Sequence, residues 1–201
     1  MIRKLIPLVA LALVASASAA SAQSTGLPQY YAPYRAFESY EIGGTLSFPK
    51  GDATGIEGSF SFGYKAFDIG LRGGVVTNGS TEFVIGADGR VRVVTQTESF
   101  PLDGAVTFGV GTWEFDNLIA PVGISLGRRI DIKDSPVAVT PYAQPVLFFV
   151  FDDSDLNTAN IAVGFGADFE LSDVFVVRGS FGVGGSRGIG EGFAISAVWV
   201  H

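Results

Sequence analysis

Hydrophobic and polar positions alternate along most of the chain, and the clearest example runs from Phe83 to Val94. Its odd-numbered positions are apolar or glycine, whereas its charged residues, Asp88, Arg90 and Arg92, all fall on even-numbered positions. Asp88-Gly89 has the composition of a hairpin turn, but the uninterrupted alternation predicts one continuous strand instead. A strand with one apolar and one charged face is typical of a membrane-spanning barrel.

Nine further segments show the same alternation, so the sequence predicts ten strands. Because backbone groups must all be paired in lipid, these strands are expected to close into an all-β, antiparallel, up-and-down transmembrane barrel. An even count also brings both chain ends to one side, and eight strands is the alternative if two segments are misjudged. The first eight predicted strands cover about residues 38–48, 55–64, 67–76, 83–94, 103–115, 118–130, 137–151 and 160–170, and the last two flank a glycine-rich loop at 184–190.

The beginning of the chain follows a different pattern. A basic start at Arg3-Lys4 and an apolar run to Val14 lead to Ala20-Ser21-Ala22, which is typical of a cleaved secretory signal peptide. Residues 23–37 are rich in Tyr and Pro and show no periodicity. They are interpreted either as a disordered or loosely docked periplasmic leader, or as an aromatic plug at the barrel mouth. The predicted organisation is therefore a signal peptide at 1–22, a leader at 23–37 and a barrel at 38–201.

Composition narrows the class of protein further. Without Arg3 and Lys4, 11 of the 13 basic residues remain against 20 acidic ones, so the net charge is −9. A chain this acidic lacks the basic face that nucleic-acid binding needs. It contains no Cys, which excludes disulfides and a lipid-anchored lipoprotein. No apolar stretch after the signal reaches the length of a transmembrane helix.

The final strand carries a family resemblance. Phe193, Ile195, Ala197 and Trp199 share its apolar face, and the chain ends on His201. On this strand and on the overall pattern, residues 38–201 resemble small outer-membrane β-barrels of the OmpA/OmpX kind. The strand is similar to the C-terminal insertion signal of that family, which typically ends on Phe, whereas this chain ends on His201. The resemblance implies export to the bacterial outer membrane, a monomeric state, and contacts with lipid or lipopolysaccharide and with the barrel insertion machinery.

Charged residues on the inner faces of the predicted strands form a candidate site. Cross-strand pairing places Asp68 opposite Arg90 and brings Asp168 near Arg178, with further diagonal neighbours. Such residues either fix the register and fill the barrel as a salt-bridged network, or form a constriction that selects small ions. The full candidate set is Glu57, Asp68, Arg72, Asp88, Arg90, Arg92, Asp168 and Arg178.

Three prolines interrupt the sixth and seventh predicted strands: Pro121, Pro141 and Pro145. Because proline cannot donate to a strand ladder, we expect a weakly bonded seam between these two strands. A turn near Lys133 would place Pro121 beside Pro145. The seam is interpreted either as a lateral opening for a lipid-like molecule or as a bulge or shifted register filled by water.

Residues that would support catalysis are sparse. His201 is the single histidine, so no Ser/His/Asp or Cys/His site can be assembled near the outer rim. The glycine-rich stretch at 182–188 lacks the Lys-Ser/Thr of a phosphate loop. Residues 152–157 are predicted to form an acidic loop, which shows no calcium-binding pattern. We therefore predict no enzyme activity, no cofactor and no metal. The leading function is a structural or small-solute passage role; a lipid-binding or lipid-modifying barrel and a secreted soluble β-barrel carrier are the alternatives.

Overall fold

The computed structural model describes residues 24–33, 40–113, 117–152, 155–184 and 189–201. Ten long strands and one two-residue strand, β7, form within them, and these described residues contain no helix. The predicted ten-strand barrel is confirmed, and the stretch from Phe83 to Val94 lies inside one strand, β4. The strands are β1 (Tyr40–Pro49), β2 (Thr54–Tyr64), β3 (Phe67–Asn78), β4 (Ser80–Val94), β5 (Asp103–Trp113), β6 (Asn117–Gly127), β7 (Ile130–Asp131), β8 (Ala138–Asp152), β9 (Asp155–Ser172), β10 (Phe175–Val183) and β11 (Gly192–Val200).

The sheet closes on itself through two antiparallel seams. Neighbouring strands pair in chain order, β1 pairs with β11, and β6 pairs with β8, which completes the ring. At the first seam the backbone N–H of Tyr40 donates to His201 at 3.2 Å, and that of His201 donates to Tyr40 at 3.0 Å. Every long strand therefore has two neighbours, and the barrel has no open edge.

The two ends of the barrel differ in their connections. We call the end that carries Tyr40 and His201 the terminal rim; it also holds the connections after β2, β4, β6 and β9. The opposite end, the distal rim, holds the connections after β1, β3, β5, β8 and β10. The segments at 95–102 and 128–137 lie at the terminal rim, and the second of them contains β7.

Apolar side chains cover the outside of the barrel, and polar side chains face the lumen. Outward side chains such as Phe83 and Leu71 are 66% and 61% exposed, whereas inward Asp68 and Gln144 are 0% exposed. Water would make this exposed apolar wall costly, because soluble proteins rarely expose large contiguous apolar patches. Hydrocarbon around the wall removes that cost, and the strands need no change of register to achieve it.

One loop differs from its prediction. Residues 152–157 were expected to form an acidic loop, but β8 extends to Asp152 and β9 begins at Asp155. The loop prediction was wrong for residues 152 and 155–157, because the strand ladder continues past the apolar part of each strand, with Asp152 paired to Asp155. Residues 153–154 and 185–188, which include Asp153 and most of the glycine-rich stretch, lie outside the described residues.

Candidate functional site: the occupied lumen

The barrel lumen is occupied by the chain's own residues 24–33, which we call the lumen segment. All ten of its residues are buried. The segment begins near the distal rim, where the carbonyl of Gly26 accepts from the N–H of Gly190 at 2.8 Å. It ends near the terminal rim, where Pro33 lies against Gly127. The chain thus threads the barrel from the distal to the terminal rim, where β1 begins.

This arrangement differs from a loosely docked leader. Burial of the whole segment requires the barrel wall to satisfy its polar groups, because water cannot reach them. Side chains from β5, β6, β8 and β10 do so by bonding to the main chain of Thr25, Pro28, Tyr30 and Tyr31. Residue 23 and residues 34–37 of the predicted leader lie outside the described residues.

Tyr30 occupies an apolar pocket in the distal half of the lumen. Its ring is fully buried, and its hydroxyl donates to the carbonyl of Gly190 at 2.6 Å. Glycine at 164 and 182 makes room for the ring, because a Cβ at either position would overlap it or the neighbouring backbone. The pocket belongs to one buried cluster, which comprises Tyr30, Ala32, Ile119, Tyr142, Val146, Phe148, Val150, Ala162 and Ile189.

Tyr31, the next residue, lies among charges. Guanidinium groups from three different strands approach its ring, Arg72 at 5.0 Å, Arg90 at 4.7 Å and Arg178 at 4.8 Å from the ring centroid. These distances are within the range of cation–π attraction, which strengthens where water is excluded. The backbone of Tyr31 is also held, since its N–H donates to Oε1 of Gln144 at 2.8 Å and its carbonyl accepts from the hydroxyl of Ser125.

The predicted lumen charges meet in buried pairs around Tyr31. Asp68 lies opposite Arg90 in the strand register, with Nε and Oδ2 3.3 Å apart. Asp168 lies opposite Arg178 and accepts from Nε at 2.8 Å and from Nη2 at 2.6 Å. Two carboxylate oxygens therefore meet one guanidinium, which is the geometry of the strongest protein ion pairs.

The diagonal neighbours are also brought together. Nε of Arg72 donates to Asp88 at 3.0 Å, and Nη1 of the same arginine lies 4.0 Å from a carboxylate oxygen of Glu57. Arg92 lies farther along β4, half-buried and opposite Ala105 of β5. Each guanidinium facing Tyr31 therefore has an acidic neighbour on the wall, and the segment adds an aromatic ring, not a charge, to this network.

The three prolines occupy different faces of the wall. Pro121 points into the lumen and pairs with Phe148, so the prediction that it lies beside Pro145 was wrong. The connection between β6 and β8 contains β7, and its length shifts the register from that of a simple turn near Lys133. Pro141 and Pro145 point outward and pair with Ala167 and Val163 of β9.

The β6–β8 ladder is nevertheless interrupted. Paired residues run from Asn117 to Gly123 and resume at Leu126, so Ile124 and Ser125 have no partners in this ladder. The opposite gap on β8 falls at Gln144 and Pro145, and proline has no N–H to donate. Ser125 and Gln144 are the residues that bind the main chain of Tyr31, so the lumen segment covers the gap from the inside.

The residues of the predicted insertion signal line the outer wall of β11. Phe193, Ile195 and Trp199 are between 44% and 55% exposed, and Ala197 faces the same way. His201 lies against Tyr40, with ring centroids 4.9 Å apart, at the seam where the barrel closes. Among the described residues no group of His, Cys, Asp and Glu is arranged to hold a metal ion, and no helix there is long and apolar enough to cross a membrane.

Sequence reasoning missed the wall residues that hold the lumen segment. These include three glycines at 164, 182 and 190, and four hydrogen-bonding side chains, Ser125, Tyr142, Gln144 and Ser180. Their signal in the sequence is modest: apart from Gly190, which lies between β10 and β11, they are small or hydrogen-bonding residues at inward positions on strands. These residues are uncharged, so the pattern of charges along the strands does not indicate them.

No protein-family model and no curated protein matches the chain. Solved structures do match. The β domain of the Bordetella autotransporter BrkA has a TM-score of 0.55 at 13% identity, covering 81% of this chain and 98% of that one. The N-terminal β-barrel domain of Pseudomonas aeruginosa OprF has a TM-score of 0.40 at 12% identity, covering 83% and 100%. Omp33 of Acinetobacter baumannii has a TM-score of 0.37 at 10% identity, covering 82% and 99%. The chain has the fold of bacterial outer-membrane β-barrels.

Proposed function

We propose that this chain is a non-enzymatic integral outer-membrane β-barrel in which a passage for ions or small solutes is closed by the lumen segment. The observation that carries the proposal is the burial of all ten residues 24–33 inside a closed ring of ten long strands. A barrel with an empty lumen would conduct, whereas this one is filled along its length from Gly26 to Pro33.

The membrane setting is supported by the outer wall. Large apolar side chains cover it on every strand pair, and the ion pairs lie inside. A basic residue on a lipid-facing wall costs about 2–4 kcal/mol at the bilayer midplane, which explains why Arg72, Arg90 and Arg178 face inward. Export through the segment at 1–22 and insertion through the β11 signal remain part of the proposal.

Conductance in planar bilayers tests the closed passage. We expect the folded full-length barrel to remain closed, and a variant that lacks residues 24–33 to give steady conductance steps, because its lumen is no longer filled. Heat-modifiable migration on gels would first establish that the variant has folded as a barrel. A deletion variant that folds but stays as closed as the full chain would refute the proposal.

A second candidate, lipid binding through a lateral opening, is favoured by one observation. The ladder between β6 and β8 lacks pairs at Ile124 and Ser125, opposite Pro145. Amide exchange provides the test, with β2 and β3 as the reference because their ladder is continuous from Thr54 to Tyr64. Protection at the β6–β8 seam equal to that of β2–β3 would exclude a lateral opening.

A further inference from the structure

The wall of the lumen recognises the main chain of the lumen segment. Six backbone carbonyls and two backbone N–H groups of residues 25–32 are hydrogen-bonded to wall residues that are more than 50 positions away in the sequence. The carbonyls belong to Thr25, Gly26, Pro28, Tyr30, Tyr31 and Ala32, and the N–H groups to Tyr30 and Tyr31. Peptide-binding sites use buried main-chain recognition of this kind: the main-chain hydrogen bonds give affinity, and pockets for individual side chains give specificity.

One serine illustrates the fit. The hydroxyl of Ser180 donates to the carbonyl of Pro28 at 2.8 Å and accepts from the N–H of Tyr30 at 3.3 Å. It bonds to the chain on both sides of Gln29, whose side-chain amide lies 3.4 Å from the hydroxyl of Ser196. A wall that only filled space would not need donors and acceptors placed at these alternate positions.

The shape of the wall also complements that of the lumen segment. A Cβ at Gly164 would overlap the ring of Tyr30, and a Cβ at Gly86 or Gly111 would overlap Ser24. By contrast, a Cβ at Gly44 or Gly58 on the outer wall would meet nothing within 4 Å. Gly86, Gly111 and Gly164 therefore leave room for the bound segment, whereas Gly44 and Gly58 do not adjoin it.

The segment itself carries no charge. Its sequence, from Ser24 to Pro33, contains no acidic or basic side chain, and the arginines around Tyr31 have acidic partners on the wall. Docking therefore needs no counter-charge from the peptide. Two side chains of the segment make specific contacts. The Tyr30 hydroxyl donates a hydrogen bond to the carbonyl of Gly190, and the Tyr31 ring makes cation–π contacts with three guanidinium groups.

We propose that the lumen is a binding site for a short uncharged peptide with a Tyr-Tyr pair between prolines, occupied by residues 24–33 and able to accept the same peptide from outside. This inference rests on the proposed function, since the segment must leave for a second peptide to enter. Its wall is formed by β3, β4, β5, β6, β8, β9, β10 and β11. Its anchors are the Tyr30 pocket and the arginines around Tyr31.

Exchange in the full chain tests the inference. A protease site inserted between residues 36 and 37 allows the segment to be cut from the barrel after folding, so that it stays bound without a covalent link. A fluorescent synthetic peptide of residues 24–33 should then exchange into the barrel, and unlabelled peptide should compete with it. A peptide carrying Tyr31→Ala should compete at least about fivefold more weakly, because it loses the cation–π contacts. One with the same residues in scrambled order should not compete.

The outcomes separate the two proposals. Failure of the labelled peptide to enter, or equal competition by the scrambled peptide, overturns the binding site. Conductance recorded on the same cut protein tests the passage independently. If the cut barrel opens on dilution but added peptide does not close it, the binding site fails and the passage stands. If peptide exchanges and the current never changes, the passage fails and the binding site stands.

Discussion

Two adjacent residues, Tyr30 and Tyr31, bind the barrel by opposite means. Tyr30 lies in the distal half of the lumen, where it packs in a buried apolar cluster with Val146, Phe148 and Val150 of β8. Tyr31 lies in the terminal half, where its ring contacts guanidinium groups. In the distal half, the apolar area of the buried Tyr30 ring stabilises docking of the segment. In the terminal half, docking depends on buried charges that must stay paired.

This difference indicates which kind of substitution should destabilise each half of the lumen most. An apolar pocket tolerates loss of a hydrogen bond better than loss of volume, because its stabilisation scales with the apolar surface that it buries. A buried ion network tolerates loss of the ring better than loss of one carboxylate, since an unpaired buried guanidinium is the costlier defect. Substitutions at matched positions in the two halves should therefore differ in a predictable order.

Removal of one buried carboxylate should have the largest effect. Asp168→Asn takes away the charge that accepts two hydrogen bonds from Arg178, and we expect a loss of about 3–5 kcal/mol in the free energy of unfolding. Urea unfolding of the barrel in lipid vesicles measures it. The control is Glu170→Gln on the same strand, whose partner Arg129 is partly exposed and whose loss should cost under about 1 kcal/mol. Equal losses of unfolding free energy in the two variants would contradict a network that depends on buried paired charges.

Truncation of each tyrosine should come next. Tyr30→Ala leaves a cavity in an apolar pocket and should weaken docking of the segment by about 3 kcal/mol. Tyr31→Ala loses cation–π contacts and should weaken it by about 1–2 kcal/mol. Trp113, whose indole N–H donates to the carbonyl of Thr25, reports docking by its fluorescence when Trp199 is replaced by Phe. The reverse ranking would show that the charged half dominates.

Much of the barrel could be predicted from the sequence, for a local reason. Alternation of period two fixes which side of a strand faces in, and the parity of Asp68, Arg90, Asp168 and Arg178 placed them on the inner wall. The alternation also determined that Asp88-Gly89 lies within a strand. Both conclusions need only neighbouring residues on one strand or across one tight turn.

The lumen segment could not be predicted in the same way. Its residues contact wall on all sides, so no period distinguishes an inner from an outer face, and Tyr-Pro composition is equally typical of a disordered leader. Its partners are distant: Tyr30 bonds to Ser180, and Tyr31 bonds to Gln144, across separations of 150 and 113 residues. The predicted register between β6 and β8 was wrong for a related reason. The connection between them contains β7, and its length cannot be deduced from the alternation within either strand.

Added volume in the wall beside Tyr30 should have the next largest effect on docking of the segment. Gly164→Ala places a methyl group where the Tyr30 ring lies, and overpacking of this kind costs about 1–3 kcal/mol. Gly44→Ala is the matched control, because its methyl group would point to open space on the outer wall and should cost under about 0.5 kcal/mol. Trp113 fluorescence and conductance together should show the segment displaced in the first variant alone. Similar behaviour of both variants would argue against a shaped lumen.

Removal of single hydroxyl groups should separate the tyrosines more finely. Tyr30→Phe loses the bond to the carbonyl of Gly190 and should cost about 1 kcal/mol, because that carbonyl is left without its donor. Tyr31→Phe keeps the ring that the three arginines contact and should be close to neutral. The measurement is again the docking equilibrium from Trp113. A larger cost at Tyr31 would mean that its hydroxyl, and not its ring, is recognised.

A mild acid response at the distal rim should be the smallest effect. A hydrogen bond from Lys50 holds the pKa of Glu191 below its ordinary value near 4.5, and the carboxylate also accepts from the N–H of Gly184. Because the pKa is lowered on folding, this contribution is present above pH 4.5 and is lost as the pH falls through the folded value. Glu191 follows Gly190, which binds Tyr30 and Gly26, so acid should loosen the Tyr30 half alone.

The acid response is slight because a pair at the barrel rim is screened by water. Trp113 fluorescence followed from pH 6 to pH 3 should show a small shift in the natural chain and no such shift in Glu191→Gln. Tyr31→Ala should leave the shift unchanged, because its own contacts lie in the other half of the lumen. If the shift persists in Glu191→Gln, another carboxylate controls the distal rim. If Tyr31→Ala changes the shift, the two tyrosines are coupled more closely than their separate surroundings indicate.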